Sequence, residues 1–227
     1  MTEGTTDLES LVRWVLRSTP RIKPADRLLG RILHRELLQG RPVDPERVGV
    51  LADLDQATVS EVVRRWARQD DDGLICAFFG LTLEQTKHRM IVGGRGVYAW
   101  CAWDTLFLPE LLGERVAIES SCPVTGSAVW LIVSPEGIES VDPSKTLVSF
   151  VTPPDLCCDI EGRESELETL KERTLSEFCA FVHFISTPEA GRQWAEGRAH
   201  THLLTVEEAF EVGRRTNHAL FGGEMTG

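Results

Sequence analysis

The hydrophobic period of the chain changes near residue 70, and this change is the feature that most constrains the fold. Up to Gln69 apolar residues recur at helical spacing, as in LESLVRWVLR and ADRLLGRILHRELLQG. Beyond Gln69 the apolar runs are short and broken by glycine, as in LICAFFGL and RMIVGGRGVYAW, which is typical of strands. The pattern predicts an α+β fold, with a helical domain over residues 1–80 packed on a mixed-strand core over residues 81–227.

The element order of the first domain, several helices followed by a hairpin, predicts a winged-helix-like unit. Asp44 and Pro45 indicate the start of one helix, as its cap and its first helical residue. The segment DQATVSEVVRRWARQD is predicted to form a further amphipathic helix. Its inward-facing residues are expected to be Val59, Val62, Val63 and Trp66.

Three arginines on this helix, Arg64, Arg65 and Arg68, raise the alternative of DNA binding. Residues 1–75, however, hold 12 Lys/Arg and 13 Asp/Glu, and the 227-residue chain has a formal net charge of −11. Because phosphate contacts require basic side chains on the contacting face, this charge disfavours nucleic acid as a partner. A solvated helix face explains the three arginines equally well.

The second half of the chain mixes strands and helices. RVAIES and AVWLIVS are predicted to pair around the turn SCPVTGS, and TLVSFVTP is predicted to be a third strand. The segment SELETLKERTLSEFCAFVHFIS is predicted to begin as a helix and to become a strand near its end. Two further helices are predicted to start at a threonine cap with a glutamate downstream, TPEAGRQWAEG and TVEEAFEVGRRTNHALFG.

The chain contains no run of about 18–20 apolar residues, the length that a membrane span requires. Its polar, acidic start also lacks the pattern of a signal peptide, so we expect a cytoplasmic protein without a membrane partner. In a reducing compartment its cysteines are expected to be free thiols, available for metal or nucleophilic chemistry, or simply small buried apolar residues. The six are Cys76, Cys101, Cys122, Cys157, Cys158 and Cys179.

The segment VYAWCAWDTLFLPELLG places Cys101 three residues before Asp104. If a helix starts near Trp100, Cys101 lies in its first turn, where free N–H groups lower a thiol pKa. Asp104 then lies on the same helix face, where it can accept the thiol proton and hold it as a neutral acid in apolar surroundings. The plainer alternative is a helix-start aspartate beside a buried cysteine. The aromatic neighbours are Trp100, Trp103 and Phe107.

The stretch YAWCAWDTLFLPELLG resembles the signature of the organomercurial (alkylmercury) lyases of bacterial mercury resistance, in which a catalytic cysteine precedes an aspartate by three residues. SCPVTGSAVWLIVSP is similar to the family's Cys-x-x-Thr-Gly strand segment, and VEEAFEVGRRTNHAL to its closing helix. FCAFVHFISTPEAGRQW resembles the block that holds the second catalytic cysteine, which is Cys179 here. The resemblance runs from about Tyr98 to the C-terminus, and the helical first half fits the family's winged-helix-like domain.

The resemblance implies protonolysis of the carbon–mercury bond, giving a hydrocarbon and Hg(II). It implies that Cys101 is the nucleophile and Cys179 the second thiolate, and that both hold the Hg(II) product, a soft ion that prefers thiolates. Asp104 would act as base toward the thiol and acid toward carbon. It implies no resident cofactor, turnover assisted by small thiols, and mercuric reductase or cellular thiols as acceptors of Hg(II). The substrate pocket would include Trp100, Trp103 and Phe107.

Two features depart from the family pattern. Ala180 stands where family members often carry a further cysteine directly after the second catalytic one. The vicinal pair Cys157 and Cys158 has no counterpart in a family motif, and is either an accessory Hg(II) site or incidental. Cys76 and Cys122 are interpreted as structural residues.

Two alternatives to an enzyme remain open at this point. The first is a thiol-based, metal-responsive winged-helix regulator, which the predicted N-terminal architecture favours and the acidic charge disfavours. The second is a non-catalytic relative that only binds a soft metal. The presence of Asp104 argues against this second alternative, because binding of a soft metal by two thiolates needs no carboxylate.

Overall fold

An antiparallel sheet of eight strands runs through the molecule, and a second antiparallel sheet of three strands shares its hydrophobic core. The computed structural model describes residues 7–156 and 167–222. Within these residues the helices are α1 (Leu8–Ser18), α2 (Pro24–Leu37), α3 (Pro45–Ala52), α4 (Gln56–Trp66), α5 (Asp104–Leu112), α6 (Leu167–Arg173), α7 (Pro188–Ala195) and α8 (Val206–Phe221). The strands there are β1 (Ala67–Gln69), β2 (Ile75–Phe78), β3 (Leu81–Thr82), β4 (His88–Val92), β5 (Arg95–Ala99), β6 (Val116–Ser121), β7 (Ala128–Ser134), β8 (Gly137–Asp142), β9 (Leu147–Val151), β10 (Phe184–Ile185) and β11 (Thr201–Thr205). The predicted α+β fold is confirmed.

Aspartate caps start three of the four N-terminal helices. The carboxylates of Asp7, Asp44 and Asp55 each accept a backbone N–H of the first turn, which satisfies one of the unpaired donors there. Pro45 occupies the first position of α3, as predicted. The predicted inward face of α4 is confirmed, because Val59, Val62, Val63 and Trp66 are all buried.

The interpretation of the arginines as a solvated helix face is wrong for Arg65. Its guanidinium is 3% exposed and lies 2.8 Å from the buried carboxylate of Asp26 on α2, and it also pairs with Glu61. The helix ends at Trp66, so Arg68 lies instead in β1, where it pairs with Glu84. The charge of Arg65 is thus neutralised inside the protein, where it joins α4 to α2.

The strand order in the large sheet is β1-β2-β3-β5-β4-β6-β7-β8. The hairpin of β4 and β5 turns at Gly93 and Gly94, whose φ angles of 54° and 81° are positive, a conformation that favours glycine. The predicted pairing of RVAIES with AVWLIVS is confirmed by the β6–β7 ladder, in which Ile118 lies opposite Leu131. Since β2 pairs with β3, the sheet is continuous across residue 80.

The small sheet has β9 at its centre, between β10 and β11, with Phe150 and Phe184 fully buried. The segment that ends at β10 starts as α6, continues through a π turn and a 3-10 turn, and then becomes extended, as predicted. Thr187 and Thr205 cap α7 and α8, also as predicted. In the described part of the chain, no helix is both long and apolar enough to cross a membrane.

Candidate active site

Cys101 lies in a turn between β5 and α5, not in the first turn of a helix. Its backbone N–H donates to Oδ2 of Asp104 over 2.8 Å, and the hydroxyl of Thr105 donates to the Ala102 carbonyl over 2.7 Å. These bonds close the turn, and α5 begins at Asp104. The prediction of a helix start near Trp100 is therefore wrong by about one turn.

Cys179 begins a 3-10 turn, Cys179–Phe181, which ends two residues before β10. The carbonyl of Val182 accepts the N–H of Ala102 over 3.1 Å, which joins the two cysteine-bearing segments. The sulfur atoms of Cys101 and Cys179 and a carboxylate oxygen of Asp104 all lie within 4.8 Å of one another. Two metal–thiolate bonds of about 2.3 Å each reach across about 4.6 Å, so sulfur atoms this close need at most a few tenths of an ångström of movement to share one metal.

All three of these side chains are buried, and burial governs their protonation. It raises the pKa of Asp104 to about 7, although the neighbouring thiol and the backbone N–H of Cys101 act in the opposite direction. An aspartic acid with this pKa takes up and releases a proton near neutral pH.

The expected lowering of the Cys101 pKa is wrong. Burial raises the pKa of this thiol well above its ordinary value, and the hydrogen bond that it donates to Cys179 and the charge of Asp104 raise it further. For Cys179 the hydrogen bond from Cys101 favours the thiolate, but burial and Asp104 outweigh it and the pKa is raised. The site therefore contains protonated thiols beside a carboxyl group that can accept their protons.

A cavity of about 130 Å³ reaches this cluster. Asp104 and Cys179 line it, whereas Cys101 is fully buried and does not. The indole N–H of Trp103 donates to the Ala209 carbonyl over 3.0 Å, which fixes that ring against α8. The three aromatic residues expected at a substrate pocket, Trp100, Trp103 and Phe107, all line this cavity.

Several lining residues were missed by the sequence analysis. Phe178 had a local signal, because it precedes Cys179, but Trp66 and Phe79 come from the N-terminal half and reach the cavity only through the fold. Gly80 also lines it, with a φ of +90°, and a Cβ there would lie 2.9 Å from Oδ1 of Asp104. Its missing side chain leaves room for the carboxyl group.

The other cysteines lie apart from this cluster or outside the described residues, as Cys157 and Cys158 do. Cys76 is buried in β2. Cys122 is also buried, and although burial raises its pKa, hydrogen bonds from Thr125 and Ser186 outweigh this and lower it to about 7. Across residues 7–156 and 167–222, one group of three His, Cys, Asp or Glu side chains has its possible metal-ligand atoms within 4.8 Å of one another, and it consists of Cys101, Asp104 and Cys179.

Comparisons with known proteins identify the family of this chain. Residues 81–217 match the family model of MerB, alkylmercury lyase. The alkylmercury lyase of Staphylococcus epidermidis is 37% identical over 188 residues, 82% of this chain and 80% of that protein. The one of Pseudomonas putida is 35% identical over 193 residues, 83% of this chain and 82% of that protein.

A crystal structure of the mercury-bound form of MerB2 has the same fold. The two structures superpose with a TM-score of 0.70, over 94% of this chain and 98% of that chain, at 22% sequence identity. The family model and the curated relatives place the chain in the alkylmercury lyase family, the enzymes that cleave carbon–mercury bonds.

Proposed function

We propose that this protein detoxifies alkyl- and arylmercury compounds by protonolysis of the carbon–mercury bond, with Cys101, Cys179 and Asp104 as its catalytic residues. The observation that carries the proposal is the cluster of two thiols and a carboxyl of pKa about 7, all within 4.8 Å, at the end of an aromatic cavity. Two soft sulfur ligands suit mercury, and a buried acid suits proton delivery to carbon.

The thiols act on the metal. Cys101 is the nucleophile that binds R–Hg⁺ and displaces the small thiolate on which the substrate arrives, and the proton of Cys101 leaves with that thiolate. Cys179 is the second thiolate, which raises the coordination of mercury and weakens its bond to carbon. Since the two sulfur atoms are already close, the second bond forms without a large movement of the chain.

Asp104 moves the remaining proton. As a carboxylate it accepts the proton of the Cys179 thiol when that sulfur binds mercury, and it then donates this proton to the departing carbon. The products are R–H, Hg(II) held by two thiolates, and the free small thiol. The apolar walls of the cavity limit access of water to the neutral acid.

The aromatic residues Trp100, Trp103 and Phe107 receive the organic group of the substrate. Turnover requires no resident cofactor, but small thiols are needed to remove Hg(II) from the two cysteines. Cellular thiols or mercuric reductase then accept the ion, in the cytoplasm. Cys157 and Cys158 are candidates for an accessory Hg(II) site during this transfer, on the softness of their sulfur alone.

The helical first part, residues 1–80, serves as a winged-helix-like packing unit rather than a DNA reader. Helices α2, α3 and α4 followed by the β1–β2 hairpin support this description. The burial of Arg65 in an ion pair with Asp26 supports the packing role, because that guanidinium cannot reach a phosphate.

The test is release of hydrocarbon. The protein is incubated with an arylmercurial and excess small thiol, and the arene is measured by gas chromatography. We expect catalytic release, and singly deuterated arene in D₂O. Cys101→Ser and Cys179→Ser should each abolish release while the circular dichroism spectrum stays that of the parent, because a hydroxyl is a hard and weakly acidic ligand. A folded parent that releases no arene would refute the proposal.

The order in which the two thiols act is tested separately by mass spectrometry of the arylmercury adducts. If Cys101 is the nucleophile, Cys179→Ser retains the arylmercury group on Cys101. Cys179 lines the cavity and Cys101 does not, so attack by Cys179 first is the alternative order that the experiment distinguishes. An adduct retained by Cys101→Ser but not by Cys179→Ser would reverse the two roles.

A further inference from the structure

A buried hydroxyl lies beside the segment that carries Cys179. Ser149, at the centre of β9, is fully buried. Its Oγ accepts the N–H of His183 over 2.9 Å and donates to the carbonyl of Phe181 over 2.8 Å. The hydroxyl thus binds the backbone on both sides of Val182.

The hydrogen bond from the His183 N–H to the Ser149 hydroxyl replaces a backbone hydrogen bond between β10 and β9. Strand β10 pairs with β9 only as far as Phe184, which lies opposite Val148. The next pair would be Ser149 and His183. The backbone N–H of Ser149 donates to the His183 carbonyl over 2.9 Å, but the N–H of His183 donates to the Ser149 hydroxyl instead of to a backbone carbonyl. The hydroxyl therefore lies where the chain passes from the 3-10 turn that begins at Cys179 into the extended strand β10.

A second buried side chain holds the same turn. The imidazole Nε2 of His183 lies 3.0 Å from the carbonyl of Ala180, the residue after Cys179, and donates to it. The N–H of Val182 donates to the carbonyl of Cys179 over 3.3 Å, which closes the turn. Since the carbonyl of Val182 accepts the N–H of Ala102, the position of this turn also sets its distance from the Cys101 segment.

We propose that Ser149 and His183 are positioning residues that hold the Cys179 turn so that its thiol meets a metal bound to Cys101. Neither side chain belongs to the cluster of ligand atoms, so both act through the backbone of residues 180–183. Groups that orient metal ligands typically change metal affinity or activity by about 10–100-fold when they are removed. The inference rests on the proposed role of Cys179 as the second mercury ligand.

The test is a double-mutant cycle with Hg(II) itself as the probe. All proteins carry Cys157→Ser and Cys158→Ser, so that this pair does not bind the ion. Hg(II) affinity is measured by competition with glutathione, from the ultraviolet charge-transfer absorption of mercury–thiolate bonds. The first cycle consists of Ser149→Ala, Cys179→Ser and the double variant. In the second cycle His183→Phe, which keeps an aromatic ring but removes its N–H, takes the place of Ser149→Ala.

We expect Ser149→Ala to weaken Hg(II) binding by about 10–100-fold when Cys179 is present. In the Cys179→Ser background the same substitution should have no effect, because the turn then holds no ligand. His183→Phe should follow the same pattern, which keeps the inference testable if Ser149→Ala does not fold. Ser149→Thr, which retains a hydroxyl, should recover most of the lost affinity.

The matched control is Thr146→Val, because Thr146 carries a buried hydroxyl in the same part of the chain that has no hydrogen-bond partner among the described residues. It should leave the affinity unchanged. Equal weakening by Ser149→Ala with and without Cys179, or no weakening at all, would overturn the inference. A parent that binds Hg(II) and obeys the cycle but releases no arene would refute the proposed function and leave this inference standing.

Discussion

The proposed proton donor, Asp104, is held between two backbone segments that come from different parts of the chain. One oxygen, Oδ2, accepts the N–H of Cys101, and the other, Oδ1, lies against Gly80. Burial raises the pKa of the carboxyl to about 7. The same residue is thus fixed in orientation and able to exchange a proton near neutral pH, the two properties that proton transfer to carbon requires.

Asp104→Asn keeps the shape of the side chain and its acceptor oxygen but removes the titratable proton. We expect arene release to fall by about 10²–10⁴-fold, the typical loss for a general acid. Hg(II) affinity should change little, since both thiols remain, and the same glutathione competition measures it. Release at the parent rate would leave Asp104 as a helix-start residue and the thiols as the whole of the chemistry.

Gly80→Ala tests the close approach to Asp104. The new Cβ would lie 2.9 Å from Oδ1 of Asp104, so the carboxyl has to move. We expect kcat to fall by at least about tenfold, because displacement of a catalytic group by 1 Å costs up to about 10²-fold. The control is Gly94→Ala, which has a similar positive φ of +81° but nothing within 4 Å of its Cβ. It should cost stability through backbone strain and leave kcat unchanged.

At the scale of secondary-structure elements, the sequence predicts the start of a helix correctly where the capping contacts are local. The caps of α3, α7 and α8 involve side chains within three residues of the helix start, so the sequence alone indicates them. The predicted start of α5 near Trp100 is too early. The Asp104 carboxylate accepts the N–H of Cys101 and so stabilises the turn before the helix, and α5 begins only at Asp104. The environment of Arg65 was also missed, since its partner Asp26 is distant in sequence.

Helix α8 packs tightly against α5 at Gly213. A Cβ at this position would lie 2.8 Å from the Cβ of Phe107, next to Asn217, whose amide donates to the Phe107 carbonyl over 3.1 Å. Alanine in place of glycine within a helix normally stabilises it by about 1 kcal/mol. Here we expect Gly213→Ala to destabilise the protein by about 1–3 kcal/mol, because overpacking separates the two helices. Urea denaturation followed by circular dichroism measures the change, and a gain in stability would contradict the packing argument.

At the scale of the whole molecule, the cavity is built from both halves of the chain. Trp66 and Phe79 line it together with Trp103 and Phe178, although the recognisable motifs all lie after residue 97. The motifs thus indicated the clustered thiols and carboxyl group, but not the N-terminal side chains that line the cavity beside them. Those contacts depend on tertiary packing, which the hydrophobic pattern of a single chain does not encode pair by pair.

Three buried histidines in different parts of the molecule make the stability of the fold sensitive to acid. Burial lowers the pKa of His34 to about 4, of His88 to about 3 and of His183 to about 4, from an ordinary value of 6.5. On acidification the unfolded chain therefore takes up these protons first, so the stability that these residues contribute is present above about pH 6.5 and is lost below it. Asp104 acts in the opposite direction, because its raised pKa lets the folded protein hold a proton that the unfolded chain releases above about pH 4.

Near pH 5 these four residues together make the unfolded chain bind about two protons more than the folded protein, three on histidines against one on Asp104. We expect the free energy of unfolding to fall by on the order of 2–3 kcal/mol per pH unit between pH 6 and 5. Urea denaturation across this range measures the slope. His34→Gln should reduce the slope by about 1.4 kcal/mol per pH unit, because one uptake site disappears. His218→Gln, at an exposed position on α8, is the control for the substitution itself. Equal slopes for the parent and His34→Gln would show that His34 does not couple folding to protonation.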